Sequence, residues 1–117
     1  MRAVRIVPGA EGGRIEVREV PDPTAGPGQV LVRVRASGLN RGEITQVREA
    51  KSGEPLLAGV EFAGEVAALG PGATRWSVGD RVMGILGGGG QAERCVVHER
   101  HLLAVPDSVG WEAAGGF

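Results

Sequence analysis

Alternation of apolar and charged residues predicts a chain built mainly of short strands. In Gln29–Ala36, three valines at alternate positions fall on one face of the strand and two arginines fall on the other. In residues 14–20, Ile15 and Val17 alternate with charged residues, which predicts one buried and one solvated face. The apolar and basic run Arg2–Val7 completes what we interpret as an antiparallel pair with residues 14–20.

The later elements are marked by turn and cap signals. Asn40 and Glu43 have the spacing of a capping box, which predicts a short helix over residues 41–48. Further strands are predicted at residues 81–86, 91–97 and 102–105, with the four glycines 87–90 as a flexible turn between the first two. Residues 111–114 have the pattern of the first turn of a second helix.

Closely spaced glycines interrupt the otherwise strand-like residues 59–72, and residues 78–82 form a second turn that leads into an apolar strand. Glycines inside strands mark bulges, sharp bends or close backbone approach. A small, tightly coiled barrel needs these features at its corners. The pattern therefore predicts a mainly β fold with a barrel corner in this stretch.

Composition is consistent with one compact domain in a chain of 117 residues that is 42% hydrophobic. The net charge of −1 gives no electrostatic case for binding nucleic acid or an anionic membrane surface. A single cysteine excludes an internal disulfide, and no apolar run approaches the ~20 residues of a membrane span. We therefore expect a soluble, cytoplasmic protein.

Two sequence patterns resemble known ligand sites. Residues 87–92 satisfy the spacing of a dinucleotide fingerprint, but the following residues have a strand pattern where a helix N-terminus is needed, so a hairpin is the favoured interpretation. Cys95, His98 and His101 are potential metal ligands. Residues three apart on a strand point to opposite faces, which favours a half-buried cysteine and surface histidines over a metal site.

Asn40 and Glu61 are the polar residues that we select as candidates for function. The structural alternative makes Asn40 a helix cap, worth about 1 kcal/mol, and Glu61 a charge on the solvated face of a bent strand. Residue types and spacing alone favour this structural interpretation.

Four segments carry a family resemblance, which covers nearly the whole chain: residues 36–41, 59–64, 78–82 and 88–93. Together they resemble the GroES-like domain of the medium-chain dehydrogenase/reductases, and most closely its zinc-independent quinone oxidoreductase branch. The resemblance implies a mainly β, GroES-like, partly open β-barrel with one or two short helices over residues 1–117.

The resemblance also implies site residues. In the zinc alcohol dehydrogenases of this family, a Cys stands at the position of Asn40 and a His at that of Val60, so the resemblance implies no zinc here. In the quinone reductases the matching Asn meets the nicotinamide or the substrate, a role that transfers to Asn40. Those relatives often carry a Tyr that contacts the cofactor, and the residue of this chain that best matches it is Lys51.

The activity implied is hydride transfer from NADPH to a quinone or an enone. The NADPH would be bound mainly by a Rossmann-type nucleotide domain, which this sequence lacks and which we expect in cis or in trans. Family members commonly pair through that domain, so a homo-oligomer of this chain alone would need another surface. The alternative is a stand-alone GroES-like binding module without catalytic activity. The abrupt end at Gly115-Gly116-Phe117 favours the reductase.

Overall fold

A computed structural model describes residues 1–116, and Phe117 lies outside the described residues. The described chain forms eight strands and two α-helices, with one 3₁₀ turn at Glu99–His101. In chain order the elements are β1 (Arg2–Val7), β2 (Arg14–Glu19), β3 (Gln29–Ala36), α1 (Arg41–Glu49), β4 (Leu56–Leu57), β5 (Glu61–Leu69), β6 (Arg81–Ile85), β7 (Arg94–His98), β8 (Leu102–Ala104) and α2 (Trp111–Gly115).

The strands form two antiparallel sheets, and neither sheet closes on itself. The smaller sheet has the order β2-β1-β4, and the larger has the order β7-β3-β5-β6-β8. An isolated bridge between Ala3 and Ala92 links β1 to the segment before β7. The mainly β, GroES-like, partly open barrel predicted from the sequence is therefore confirmed. No helix within residues 1–116 is long and apolar enough to cross a membrane.

The main core lies on the inner face of the larger sheet. Val30 and Val32 are fully buried there against Phe62, as the alternation in β3 predicts, while Val34 is only half-buried. The remaining buried members of this cluster are Val66, Ala73, Val82, Cys95, Val97 and Leu102. Because few of these side chains are aromatic, burial of aliphatic surface supplies most of the stabilisation.

The barrel corner predicted in the glycine-rich stretch is present in β5. Gly64 pairs with Val34 of β3, and the register between the two strands shifts between Leu31 and Val32 and again between Val34 and Ala36. A Cβ atom at Gly64 would lie 2.8 Å from Cγ1 of Val32 and would also collide with the β3 backbone. Only glycine therefore permits this approach of the strands.

The predicted burial of one face of β2 is wrong. Ile15 and Val17 are 61% and 65% exposed, although β2 pairs with β1 along its whole length. The reason is that β2 is the edge strand of the smaller sheet. Alternation predicts which residues share a face, but burial also needs another layer over that face, and no described element covers these two side chains.

The predicted hairpin around residues 87–90 is also wrong. Strand β6 pairs with β5 and β8, whereas β7 pairs with β3, so the glycine loop crosses between separate parts of the sheet. Strand β7 begins at Arg94, because Gln91 turns towards β1 and accepts a bond from the Val4 N–H at 2.9 Å. The loop is also fixed by hydrogen bonds, since the N–H groups of Gly89 and Gly90 donate to the backbone at Ala58 and Gly59.

Helix α2 forms over five residues because it packs on the outer face of β3 and β5. Ala114 is buried, and Trp111 lies under the guanidinium of Arg81, 4.5 Å from the ring centroid. The same guanidinium donates to the carbonyl of Val109 at 2.7 Å. A helix this short is not stable alone, so these tertiary contacts hold it in place.

Glu99 fixes the long turn between β5 and β6. The residue is 8% exposed, and its carboxylate accepts the backbone N–H groups of Arg75 at 2.8 Å and Thr74 at 2.9 Å. These N–H groups stabilise the ionised form and lower the pKa of the Glu99 carboxyl. The Glu99 backbone carbonyl also accepts the indole N–H of Trp76 at 2.8 Å.

Glu99→Gln should therefore lower stability in a pH-dependent way. The substitution keeps an oxygen acceptor but removes the charge. Because the folded-state pKa is lowered, the charge stabilises the fold above the unfolded-state carboxyl pKa of about 4, and this contribution is lost as the pH falls further. We expect a lower melting temperature than wild type near neutral pH and a difference that shrinks in acid, measured by circular dichroism. Glu54→Gln, in an exposed loop, is the control. If the difference in melting temperature between Glu99→Gln and wild type did not depend on pH, the stabilising role of the ionised Glu99 carboxylate would be contradicted.

Candidate functional site

The candidate site is built around a hydrogen bond between Asn40 and Glu61. Asn40 is the N-cap of α1, and Glu61 is the first residue of β5. The side-chain Nδ2 of Asn40 donates to Oε1 of Glu61 at 2.8 Å. The structure thus brings together the two polar residues selected from the sequence. Glu61 is half-buried and paired, so it is not simply a charge on a solvated face.

The segment before α1 is shaped to receive Glu61. The Ser37 hydroxyl donates to the backbone carbonyl of Glu61 at 2.6 Å. A Cβ atom at Gly38 would lie 2.9 Å from the carboxyl carbon of Glu61, so a larger residue would displace that carboxylate. Glycine at this position therefore keeps the space in which the Asn40–Glu61 bond forms.

A second carboxylate lies beneath Asn40. Glu43 is buried, and its oxygens accept the Asn40 N–H at 3.4 Å, the Val60 N–H at 3.3 Å and the Gln91 side-chain N–H at 2.9 Å. The capping-box pair predicted from the spacing is present. Glu43 also links α1 to the residue before β5 and to the residue after the four loop glycines.

Sequence reasoning missed Gln91, which we predicted to be the first residue of a strand. Gln91 donates to the Glu43 carboxylate and, at 3.4 Å, to the carbonyl of Gly38. Because 48 residues separate Glu43 from Gln91, no local pattern could have paired them.

Exposed apolar side chains surround the polar pair. Leu39 is 86% exposed and precedes Asn40, and Ile85 is 74% exposed and stands opposite Glu61 in the β5–β6 register. A mainly apolar cleft of about 520 Å³ begins at Asn40 and runs along α1 to β2. Its apolar lining consists of Ile6, Ile15, Leu39, Ile44, Val47 and Ala58. The pair is thus a polar spot on an exposed apolar surface.

Lys51 is not brought to this pair. It is exposed and lies two residues beyond the end of α1, whereas Asn40 caps the beginning of that helix. A nine-residue helix is about 14 Å long, so the two predicted cofactor contacts lie at opposite ends of α1.

Cys95, His98 and His101 do not form a group of three ligands, although the rings of His98 and His101 lie 5.5 Å apart. Cys95 is buried in the main core rather than half-buried as predicted, and burial raises its thiol pKa to about 12, which disfavours the thiolate that a metal needs. His98 instead accepts the Arg100 N–H on Nδ1 at 3.2 Å. No group of three potential ligand side chains occurs anywhere in the described chain.

The glycine loop lacks the geometry of a phosphate site. The N–H groups of Gly89 and Gln91 both donate to the Ala58 carbonyl, at 3.1 and 3.0 Å, and the Gly90 N–H donates to Gly59 at 3.0 Å. These amides are therefore unavailable to a pyrophosphate. The loop is followed by strand β7 rather than by a helix N-terminus.

Comparison with solved structures gives the same fold in larger proteins. A quinone oxidoreductase of Pseudomonas syringae pv. tomato aligns with a TM-score of 0.82 at 33% identity, over 97% of this chain and 36% of that one. A mycobacterial protein complexed with NADPH aligns with a TM-score of 0.85 at 32% identity, over 98% and 37% of the two chains.

Sequence comparison agrees with the structural comparison. A trans-enoyl reductase of Fusarium mangiferae is 37% identical over 111 residues, which is 93% of this chain and 29% of that protein. The chain thus spans less than two-fifths of the length of these three proteins. Residues 26–107 match the alcohol dehydrogenase GroES-like domain family. With the quinone oxidoreductases among its structural neighbours, the chain belongs to this GroES-like family of the medium-chain dehydrogenase/reductases.

Proposed function

We propose that this chain is the GroES-like portion of a zinc-independent oxidoreductase that transfers hydride from NADPH to a quinone or an α,β-unsaturated carbonyl. The observation that carries the proposal is the Asn40–Glu61 pair, which is hydrogen-bonded at 2.8 Å and framed by exposed Leu39 and Ile85. A planar, mostly apolar substrate with one polar oxygen fits such a surface.

The relatives support this class of reaction. They include a quinone oxidoreductase, a mycobacterial protein complexed with NADPH and a trans-enoyl reductase. The first and third names support the two proposed substrate types, and the second supports the cofactor. The chain corresponds to 36% of the quinone oxidoreductase, so the remaining parts of such an enzyme have to come from elsewhere. We assign these parts to a Rossmann-type domain in cis or in trans.

The described residues fit one end of NADPH only. When bound, the dinucleotide supplies the hydride. Its pyrophosphate requires free backbone amides at a helix N-terminus, and the amides of the glycine loop at Gly89, Gly90 and Gln91 are already hydrogen-bonded. The Asn40 end of the cleft can receive the nicotinamide and the substrate. A cofactor contact by Lys51 remains a prediction, which requires the cofactor to extend along α1.

Asn40 supplies the polar group that the proposed reaction needs. Reduction of a carbonyl or enone places negative charge on an oxygen, which a fixed donor stabilises. The Asn40 amide has two N–H donors, and Glu61 occupies one, so the other is available to that oxygen. A substrate in the apolar cleft beside it would displace water and so strengthen this interaction.

The side chains at the two positions that hold zinc ligands in the zinc alcohol dehydrogenases, Asn40 and Val60, also support zinc independence. The amide nitrogen of Asn40 carries no free lone pair for a metal and points at Glu61, and the side chain of Val60 is a hydrocarbon. For such an enzyme we propose a cytoplasmic location, where the lone buried thiol of Cys95 stays reduced.

In the complete reductase, Asn40→Ala should lower kcat for quinone or enone reduction by about 100-fold, the usual cost of removing one oxyanion donor. NADPH oxidation followed by absorbance measures this rate. Glu65→Gln on the same strand as Glu61 is the control, because Glu65 pairs with Arg35 instead of Asn40. A metal chelator should leave the wild-type rate unchanged, and a rate that falls with the chelator would contradict zinc independence. Full activity in Asn40→Ala would contradict the role of Asn40 as a donor to the substrate oxygen.

The isolated chain should not bind NADPH more tightly than about millimolar, because the adenosine and pyrophosphate sites lie outside it. Calorimetric titration of the 117-residue chain measures this directly. Tighter binding would show that the chain holds the cofactor itself and would overturn the assignment of a separate nucleotide domain.

The alternative function, a finished binding module, predicts a largely hidden apolar surface. Leu39 and Ile85 are instead the two most exposed large hydrophobic residues in the described chain. Exposed apolar side chains beside a polar pair are typical of a surface that another domain covers.

We therefore expect Leu39→Ser/Ile85→Ser to weaken binding of a separately produced nucleotide domain by at least about tenfold, while changing the free energy of unfolding by less than about 1 kcal/mol. Calorimetry and chemical denaturation measure the two quantities. Val78→Ser is the matched control, because Val78 is 65% exposed and lies in the turn at the other end of the β5–β6 pair. Equal weakening by Val78→Ser would favour non-specific association.

A further inference from the structure

We infer that Glu61 is a positioning residue that fixes the orientation of the Asn40 side-chain amide. The inference rests on the proposed function for its catalytic meaning, but the positioning itself is a property of this chain. It assigns a role to a residue for which the family resemblance gave none.

The first step is the hydrogen-bonding capacity of a carboxylate. An ionised carboxylate accepts hydrogen bonds and donates none, so it can face only the NH₂ side of the Asn40 amide. At 2.8 Å the bond from Nδ2 to Oε1 of Glu61 has the length of a charge-assisted bond. A flipped amide would place Oδ1 against a negative oxygen at the same distance. Glu61 therefore selects one of the two amide orientations.

The second step is that both partners of this bond are themselves fixed. Glu61 is held through its backbone carbonyl by the Ser37 hydroxyl at 2.6 Å, and Gly38 leaves room for its carboxylate. Asn40 is held through its backbone N–H by buried Glu43, which also binds Gln91. The bond thus joins two anchored elements, α1 and β5, rather than two mobile side chains.

The third step concerns the reaction. With one N–H committed to Glu61, the second N–H of Asn40 points away from the carboxylate and is the group offered to the substrate oxygen. If the amide flipped, its carbonyl oxygen would take the place of a donor and would repel the charge that develops there. Glu61 therefore acts on the substrate through Asn40, without contacting the reacting atoms.

The test uses the full 117-residue chain and ¹⁵N-labelled asparagine. Asn40 is the only asparagine in the sequence, so the label gives a single pair of side-chain amide protons in the NMR spectrum. In the wild-type protein we expect the proton that faces Glu61 to lie downfield of its position in an unstructured asparagine and to be protected from exchange. A pair of protons with the shifts and the exchange rates of an unstructured asparagine would overturn the inference without any mutation.

Glu61→Gln should remove the selection, because a glutamine amide can face either orientation of Asn40. We expect the bonded proton to move towards its position in an unstructured asparagine and to exchange about tenfold faster, as for loss of a charge-assisted bond. Glu65→Gln, four residues along β5, should leave both signals unchanged. An unchanged Asn40 signal in Glu61→Gln, or the same change in both variants, would overturn the inference.

A charge exchange provides an independent test of the contact. Asn40→Asp places two carboxylates at hydrogen-bonding distance and should lower the melting temperature. Adding Glu61→Gln to Asn40→Asp restores one donor and one acceptor, with the side chain at position 61 now donating and the side chain at position 40 accepting. The double variant should therefore recover most of the lost melting temperature. Failure of the second substitution to rescue the first would contradict a direct bond between these side chains.

Gly38→Ala should disturb the same bond through space. Its methyl group would displace the Glu61 carboxylate, so we expect a lower melting temperature. We also expect the side-chain amide signals of Asn40 to change as they do in the Glu61→Gln variant. Gly42→Ala is the matched control: Gly42 lies inside α1 with no atom within 4 Å of an added Cβ, and alanine favours the helix, so its melting temperature should rise. Wild-type Asn40 signals in Gly38→Ala would show that the carboxylate is not held where we place it.

The catalytic part of the inference is tested separately in the complete reductase. Glu61→Gln should lower kcat by about tenfold and leave the KM for NADPH nearly unchanged, because orientation matters most where charge develops. An altered Asn40 signal with unchanged kcat would confirm the bond but overturn its role in positioning. Absence of reductase activity in the wild-type protein would reject the proposed function and leave the NMR result to stand by itself.

Discussion

The approach of β3 to β5 at Gly64 is the constraint on which the rest of the structure depends. A side chain at Gly64 would collide with the backbone of β3 and lie 2.8 Å from Val32, so the two strands can bend together only around glycine. The register shifts on either side of this contact coil the larger sheet and enclose the core around Phe62. The same bend directs the end of β3 towards the start of β5.

The candidate site follows from that bend. The chain leaves β3 at Ala36, passes Gly38 and enters α1 at Asn40, beside the first residue of β5. Ser37, Gly38 and Asn40 all meet Glu61 because the two strands converge here. Asn40 takes part in the start of α1 through its backbone N–H, which donates to Glu43, while its side chain donates to Glu61. A structural role for its backbone is therefore compatible with the proposed role for its side chain.

An apolar surface lies around the polar pair. Ile15 and Leu39 are exposed along the cleft, and Ile85 is exposed opposite Glu61, whereas the core around Phe62 is filled mainly by aliphatic side chains. Burying such surface against another domain would stabilise an assembled enzyme by the same hydrophobic effect that holds the core together. The location of these residues beside Asn40 would also exclude water from the proposed site of hydride transfer.

The sequence by itself determined most strands, helix α1 and the barrel corner, because alternation, cap spacing and glycine placement act over a few residues. It also identified Asn40 and Glu61 as the polar residues of interest, partly through the family resemblance. Tertiary structure alone decided that Ile15 and Val17 are exposed and that the glycine loop crosses the sheet, because burial and strand pairing depend on distant elements. The contact of Gln91 with Glu43 likewise joins residues far apart in the chain, which only the folded backbone brings within hydrogen-bonding distance.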